Sequence, residues 1–458
     1  MRVLILGAGH TGNAVAQTLV CESNDITVVD VNANRIAQLQ RRYDLRGIIG
    51  DAASPAVLRE AGIEDCDILI AVTASDETNL VASLLAAKLF NVPTRIARVR
   101  RNELSNYPSL LGSDGFHITS TIWPEQALTD ALLRLIEFPE ALQIVNLAED
   151  LLYLVSLPID ETSGLSKVSQ NVLQEKLDQI QAIKVALFRK GKLLDSGRSL
   201  ETGDELLAIV NKPRIRELIH LVHPKENQNR NLVLAGDSYM ALRIVSGMKD
   251  RFNCNVKILE ESENIAHEVA RHLPERTLLI RGSHLQEEDL INVDIDTCDL
   301  FISLSSQDDE NIMGALLAKR LGAKRAIALI DNQTFADLVR ETNIDVTISK
   351  TQVTLSELLQ YVRHGDIIAV HGLRHGSAEI LELIAHGSHG TSQVVGRAIR
   401  EIKLPKQSNI CAVVRNNEFL PVSPDFIVNS EDRIIVFSGD KRLLPEIEAL
   451  FSVDVNFL

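Results

Sequence analysis

The sequence predicts an α/β chain of two doubly wound parallel-sheet domains, each followed by a small α+β lobe. Three observations carry that expectation. The chain repeats itself, short β-branched runs alternate with amphipathic stretches, and the first such run leads into a glycine-rich turn. The repeat is the strongest of the three. Residues 66–80 read CDILIAVTASDETNL and residues 298–312 read CDLFISLSSQDDENI, 232 positions apart. Upstream, ITVVD ending at Asp30 recurs as VKILE ending at Glu260, and downstream KLF (88–90) recurs as KRL (319–321). Self-similarity over ~100 residues far exceeds the ~20–50-residue period of a solenoid and indicates a duplicated domain.

Within the first copy the elements follow in order. Strands are expected at Val3–Leu6, Ile26–Asp30, Gly47–Ile49, Asp67–Val72 and Arg95–Val99. Ser54-Pro55 has the form of an N-cap followed by Pro at N1, where a missing N–H costs nothing. Leu80–Phe90 is apolar at helical spacing. Strands that are apolar almost throughout imply a parallel sheet covered on both faces. The segment 231–350 repeats this order.

Each copy is followed by shorter strands and charged turns. GKLLDSGRSLETGDELLAIV (191–210) has a counterpart in NNEFLPVSPDFIVNSEDRIIVF (416–437), each followed by a helix, at Arg214–Val222 and Lys441–Phe451. Boundaries are expected near Phe138-Pro139, in PKENQNRN (224–231) and at His364-Gly365, giving lobes 1–138, 139–228, 229–364 and 365–458.

Composition excludes several classes. At ~150 residues per domain, 458 residues give three or four domains. With 45% hydrophobic and 24% charged residues, each half can bury a core. A net charge of −15 argues against nucleic acid and against polybasic membrane attachment. No run approaches the ~20 apolar residues of a spanning helix, so direct membrane insertion is not expected. MRVLILGAGHTG reads as a buried first strand rather than a signal peptide. Cys21, Cys66, Cys254, Cys298 and Cys411 form no CxxC pair and read as reduced, buried residues of a cytosolic protein.

Gly7-Ala8-Gly9-His10-Thr11-Gly12 follows the first strand in G-x-G-x-x-G spacing, the mark of a Rossmann-like domain. Gly7 would permit the turn, Gly9 the close approach of a pyrophosphate, and Gly12 tight helix–sheet packing. The helix N-terminus then offers N–H groups and partial positive charge to the phosphates. Asp30 ends the second strand 18 residues past Gly12, where an acid accepts from ribose hydroxyls and repels a 2′-phosphate. NAD(H) or an adenine nucleotide is therefore expected over NADP(H). Thr73-Ala74, Arg98 and Asp51 fall beyond the carboxyl ends of other strands. Arg98 could neutralise phosphate, with Arg100 a second candidate, and Asp51 could meet the adenine side. Asp76 and Glu77 suit the start of a helix.

In the second copy the aligned stretch is Ala235-Gly236-Asp237-Ser238-Tyr239-Met240, in which the glycines matching Gly7, Gly9 and Gly12 are expected to be lost. Asp237 would put a carboxylate where a pyrophosphate should lie. Glu260 keeps the acid, while Ser283 replaces Asp51.

Chemistry is not apparent. No general acid or base stands in a recognisable constellation, and no GKS or GKT follows a glycine-rich loop. His371, His375, His386 and His389 form a cluster whose first pair would share a face if helical. Gly372, Gly376, Gly387 and Gly390 interrupt it, and no metal is expected. An NAD-dependent oxidoreductase and a soluble nucleotide sensor with another partner stand as alternatives to a regulatory protein.

The glycine fingerprint, Asp30, the Thr73/Asp76/Asn79 segment, the small modules with EIKLP and SEDRIIVF, and the duplication together resemble the TrkA family. These are cytosolic regulatory subunits of bacterial Trk potassium uptake systems, built from two RCK (KTN) units. The resemblance covers essentially the whole chain. It implies a tandem RCK fold and a non-enzymatic gating subunit that binds NAD(H) and ATP/ADP. It further implies a homotetrameric ring held at the inner face of the membrane by a potassium channel subunit of the Trk type. Carried over, the nucleotide site is Gly7, Ala8, Gly9, His10, Thr11, Asp30, Thr73, Ala74 and Arg98, with Glu260 the matching acid in the second copy.

Overall fold

The computed structural model describes residues 1–20, 24–161, 163–195, 197–224, 231–248, 254–339, 342–362, 367–373 and 378–452. The expected breaks at 224–231 and His364-Gly365, like Cys21 and His375, fall largely or wholly outside them.

The first parallel sheet contains β1 (Arg2–Leu6), β2 (Asp25–Asp30), β3 (Arg46–Ile49), β4 (Ile68–Ala71), β5 (Thr94–Arg98) and β6 (Ser120–Ile122). Its order is β3-β2-β1-β4-β5-β6, so the chain reverses direction across the sheet between β1 and β4. The connecting helices are α1 (His10–Val20), α2 (Ala33–Arg42), α3 (Pro55–Glu60), α4 (Asp76–Phe90), α5 (Pro108–Leu111) and α6 (Pro124–Glu137). Because strand side chains alternate, Leu4, Leu6, Leu69 and Ala71 face one core while Val3, Ile5, Ile68 and Ile70 face another. Both faces are thus buried, as the unbroken apolar strands require.

The antiparallel lobe that follows holds β7 (Gln143–Leu147), β8 (Leu152–Ile159), α7 (Gln170–Gln179), β9 (Ile183–Arg189), β10 (Lys192–Leu193), β11 (Asp204–Asn211) and α8 (Ile215–Val222). The second parallel sheet has β12 (Asn231–Ala235), β13 (Asn255–Glu260), β14 (Thr277–Arg281), β15 (Leu300–Ser303), β16 (Arg325–Leu329) and β17 (Val346–Ile348), in order β14-β13-β12-β15-β16-β17. Its helices are α9 (Ser238–Met248), α10 (Glu263–Ala270), α11 (Glu287–Asn292), α12 (Asp308–Arg320), α13 (Gln333–Val339) and α14 (Lys350–Val362). The last lobe holds β18 (Ile367–Leu373), β19 (Ala378–Ile384), β20 (Ser408–Arg415), β21 (Glu418–Pro421), β22 (Arg433–Ser438) and α15 (Leu444–Phe451).

The chain gathers into two compact units. One comprises Met1–Leu128 with Lys350–His364, the other Thr129–Ser349 with Gly365–Leu458. In the first, Leu355, Leu358, Leu359 and Val362 of α14 enter the core formed by Val15 and Leu19 of α1. A helix that follows the second sheet in sequence therefore closes the first. In the second unit, α6 beyond Thr129 packs on α9 in the reciprocal manner. Thr129 Oγ1 lies 3.6 Å from Met240 Sδ, and a Cβ on Gly247 would meet Leu133 Cδ1 at 2.7 Å.

The two antiparallel sheets, also within the second unit, share one core. Leu152, Leu154 and Phe188 of one pack with Ile380, Cys411 and Phe437 of the other, and the Phe188 and Phe437 rings meet edge-on at 6.4 Å. Each sheet carries the same buried clamp: Arg189 donates from Nε to Asp204 Oδ1, and Arg415 to Asp432 Oδ1, both at 2.7 Å.

The structure replaces the helical reading of the histidine cluster. His371 lies in strand β18, where its Nε2 is 3.1 Å from Glu382 Oε1, and His386 Nδ1 is 2.9 Å from Glu431 Oε1. Cys66, Cys254, Cys298 and Cys411 are free thiols in buried positions. Burial pushes Cys66 up to about 11 and Cys298 and Cys411 up to about 12, which leaves little reactive thiolate.

Candidate functional site

The site is built at the carboxyl ends of β1, β2, β4 and β5, at the reversal of strand order where doubly wound sheets place ligands. Gly7 adopts φ +107°, and its N–H donates to Val29 O at 2.8 Å. A Cβ there would lie 3.0 Å from the Thr73 backbone, so the turn needs glycine twice over, for conformation and for approach. Gly12 is tighter still: its Cβ would stand 1.8 Å from Gly7 O. Gly9 is the opposite case, with open space around its Cβ position. It caps α1, since Asn13 N donates to Gly9 O at 2.9 Å. The N–H groups of the first turn that follows have no intrahelical acceptor.

Asp30, only 8% exposed, fastens this loop. Its Oδ2 accepts from Ala8 N at 2.6 Å and its Oδ1 from Asn32 N at 2.7 Å. A carboxylate has about four acceptor sites, so capacity for a ribose hydroxyl remains. Arg98 is buried at the end of β5 and donates from Nη1 to Thr11 Oγ1 at 3.3 Å. Its Nε has no hydrogen-bond partner, and among the described residues the guanidinium makes no ion pair. Burial and then Arg100 pull its pKa down, with Glu125 and Asp76 acting the other way. A buried arginine that makes no ion pair among the described residues, beside a bare helix N-terminus, is a place for an anion.

Gly7 and Thr73, Ala8 and Asp30, and Thr11 and Arg98 are thus joined by direct contact or close approach, while Gly9 faces open space. Ala74, His10 and Arg100 lie exposed at the margin. Asp51 is also exposed and accepts from Ala53 N at 2.9 Å within its own turn.

Two residues that hold the site escaped the motif. Asn79 is fully buried: its Oδ1 accepts from Thr73 N at 3.0 Å and its Nδ2 donates to Arg98 O at 2.9 Å. Asp76 begins α4, as expected, but also accepts from Arg100 N and Arg101 N at 3.0 Å each. The signal was present in the repeat, where Asp308 and Asn311 occupy the same places; Asn311 Nδ2 donates to Leu329 O at 2.9 Å. Asn79→Leu should cost about 2–4 kcal/mol, because it orphans the buried Arg98 carbonyl at about 1–3 kcal/mol and removes the bond to the half-buried Thr73 N–H at about 0.5–1.5 kcal/mol. A urea midpoint equal to wild type for the corresponding transition would refute that role.

The second copy corrects one expectation. The glycine of the turn is retained, because Gly236 has φ +110° and its Cβ would meet Ser305 N at 2.5 Å, just as Gly7 faces Thr73. The loop is one residue shorter, which hid the match. Its cap is Asp237, since Ala241 N donates to Asp237 O at 2.9 Å. The Asp237 carboxylate accepts from Met240 N at 3.0 Å, so the chain's own charge fills the helix N-terminus. Leu329 ends β16 where Arg98 ends β5. The acid is kept, with Glu260 Oε1 accepting from Ser262 N at 2.8 Å.

Beside this second crevice His284 is buried against Gly314, and its Nε2 has no hydrogen-bond partner. Burial holds its pKa below the ordinary value, opposed by Glu310. A folded pKa below the unfolded one means that the unfolded chain binds the proton first. Stability from this group is therefore constant above about pH 6.5 and falls below it, by at most about 1.4 kcal/mol per pH unit. Wild type should lose more stability than His284→Asn between pH 7 and 5; parallel profiles would contradict this.

A TrkA-N domain model matches residues 3–116 and 232–350, and a TrkA-C domain model matches 390–452. The Trk system potassium uptake protein TrkA of Vibrio alginolyticus is 38% identical over 461 residues, covering 100% of both chains. That of Haemophilus influenzae is likewise 38% identical with 100% coverage of both. Among solved structures, the GsuK channel bound to NAD aligns with a TM-score of 0.63 at 15% identity, covering 98% of this chain and 78% of that one. GsuK bound to ADP aligns at 0.51 and 14%, covering 79% and 69%. These two likenesses are of fold, as is that to the GsuK RCK domain, at a TM-score of 0.62 and 14% identity over 98% of this chain and 94% of that one, which shows the sheet-plus-lobe units to be RCK-type. With full-length identity to curated relatives and both copies of the glycine-loop lobe matched, this chain belongs to the TrkA family of Trk system potassium uptake proteins.

Proposed function

We propose that this chain is the nucleotide-sensing regulatory subunit of a potassium uptake system, acting on a membrane partner of the Trk type and not itself an enzyme. The observation that carries the reading is Arg98, a buried guanidinium with no ion pair among the described residues, set beside the glycine loop. The relatives' names supply the system, and the NAD- and ADP-bound relatives of the fold favour NAD(H) and ATP/ADP as ligands. In this reading Gly7–Thr11 and Arg98 hold phosphate, Asp30 the ribose, and Thr73, Ala74 and Asp51 the rest of the first crevice. The lobes 1–138, 139–228, 229–364 and 365–458 then serve as sensing and relaying modules. No described helix is long and apolar enough to cross a membrane, so contact with the bilayer falls to the partner.

The ligand shifts a conformational equilibrium only through unequal affinity for its two states. A ring of subunits would supply such states, and exposed apolar residues on the equivalent helices of the two copies offer a surface for it. Val81 and Leu89 on α4 are 39% and 56% exposed, and Met313 on α12, equivalent to Val81, is 61% exposed. Leu89→Glu together with Met313→Glu should lower the mass in light scattering; an unchanged mass would remove the stripe from the assembly. The function itself is tested by potassium flux through the cognate membrane subunit in proteoliposomes, with the chain added and ATP, ADP or NADH varied. Flux that responds to nucleotide only when the chain is present supports the reading. Flux indifferent to the chain overturns it.

A further inference from the structure

The first crevice draws on a residue from the far half of the chain. Ile122 of β6 pairs with Arg98 of β5, so α6, beginning at Pro124, starts beside the end of β5. The Glu125 side chain, 16% exposed, is near enough to Arg98 that its charge works against the burial that lowers the arginine's pKa. Lys350, the first residue of α14, donates from Nζ to Glu125 Oε1 at 3.0 Å. Its helix is held from behind, since Leu355, Leu358, Leu359 and Val362 share a core with Val15 and Leu19 of α1. Thr11, in the first turn of α1, accepts from Arg98 at 3.3 Å. Thr11, Arg98, Glu125 and Lys350 thus form one chain of interactions inside a single compact unit.

A pair whose lysine is 39% exposed contributes little to stability, because water screens it. Its place matters more. Unpaired, the Glu125 carboxylate would oppose any anion drawn to Arg98. Paired, it is neutralised and keeps a compact ammonium on a flexible stem at the edge of that anion's place. The second crevice has no such set. Leu329 stands at the place of Arg98, Thr351 at that of Glu125 and Pro124 at that of Lys350.

We propose that Lys350 is a specificity residue of the first crevice, leaving Glu125 to meet the terminal phosphate of a nucleoside triphosphate and so favouring ATP over ADP. The proposal rests on the reading above of this crevice as a phosphate site. Arg98 serves the phosphates nearer the glycine loop. Lys350 is exposed enough to move, and the added charge of a third phosphate outbids a single carboxylate for it. When that phosphate is absent, Lys350 returns to Glu125. The residue that reads phosphate number in the first copy is thus encoded after the second sheet.

The test is calorimetric titration of the full chain with ATP, ADP and NADH in wild type, Lys350→Met, Lys350→Arg and Glu125→Gln. No divalent cation is present, so that only the protein's own cations face the phosphates. The ratio of ATP to ADP affinity should fall at least fivefold in Lys350→Met and stay within twofold of wild type in Lys350→Arg. Glu125→Gln releases the ammonium, so ATP affinity should hold or rise. A merely structural ion pair would instead make Lys350→Met and Glu125→Gln alike. In wild type, ATP should slow acetylation of Lys350 by acetic anhydride at least threefold more than ADP does, a readout that needs no variant to fold. An unchanged affinity ratio in Lys350→Met, an equal loss in Glu125→Gln, or equal protection by the two nucleotides would each overturn the proposal while leaving the phosphate site standing. Wild type that binds none of ATP, ADP and NADH would overturn both readings together.

Discussion

Gly9→Asp is expected to abolish nucleotide binding in the first lobe while leaving the fold as stable as before. The two halves of that result have separate physical causes. No atom lies within 4 Å of the Cβ position, so the side chain enters free space. Gly9 is the cap of α1, and aspartate at a cap accepts from first-turn N–H groups, worth about 0.5–2 kcal/mol against a non-capping residue. The protein already contains this arrangement at Asp237, where the carboxylate accepts from Met240 N at 3.0 Å. The same geometry that stabilises the helix puts a negative charge where the proposed site would hold phosphate and takes up its donors. Affinity for ATP should fall at least 100-fold, about 2.7 kcal/mol. Unchanged melting with lost binding is the expected pair of observations. Retained affinity would mean that phosphate does not approach this helix end.

Gly12→Ala should do the reverse, damaging the fold and losing the ligand as a consequence. Its Cβ would stand 1.8 Å from Gly7 O, a backbone atom with nowhere to go. Gly7 is itself pressed against the Thr73 backbone at φ +107°. Helix α1 would have to retreat from the sheet, disturbing the core that Val15 and Leu19 form with α14. Overpacking of this kind costs about 1–3 kcal/mol, and at a backbone contact the upper end or beyond is expected. Calorimetry should show a lower Tm for the first transition. A Tm within a degree of wild type would contradict the close approach of helix and loop.

These two glycines also show what the sequence could and could not disclose. Motif spacing assigned distinct roles to Gly7, Gly9 and Gly12; Gly7 does turn the chain at φ +107° and Gly12 does pack against Gly7 O, while the pyrophosphate role of Gly9 belongs to the proposal. The five strands expected in the first copy lie within a residue or so of those observed, because apolar β-branched runs have few other ways to be buried. The same reasoning failed at Gly236. Aligning by motif assumes equal loop lengths, and one missing residue moved the glycine out of register while its φ and its neighbour Ser305 kept it in place.

The exchange of α6 and α14 was beyond reach for a different reason. Leu355, Leu358, Leu359 and Val362 have helical spacing, which predicts a buried face without naming the surface that covers it. Asp76 read as an ordinary helix-start residue, and Asn79 only as part of the segment that carries the family resemblance, until their partners on β5 and beyond were seen. Arg98 was suspected from its strand end alone. That it makes no ion pair among the described residues, which makes it an argument for an anion, is a three-dimensional fact.

The most direct test of the central claim is calorimetric titration of the full chain with ATP, ADP and NADH, wild type beside Gly9→Asp. The account predicts one phosphorylated-nucleotide site per chain in wild type and none in the variant. Two such sites in wild type, or one that persists in the variant, would contradict it.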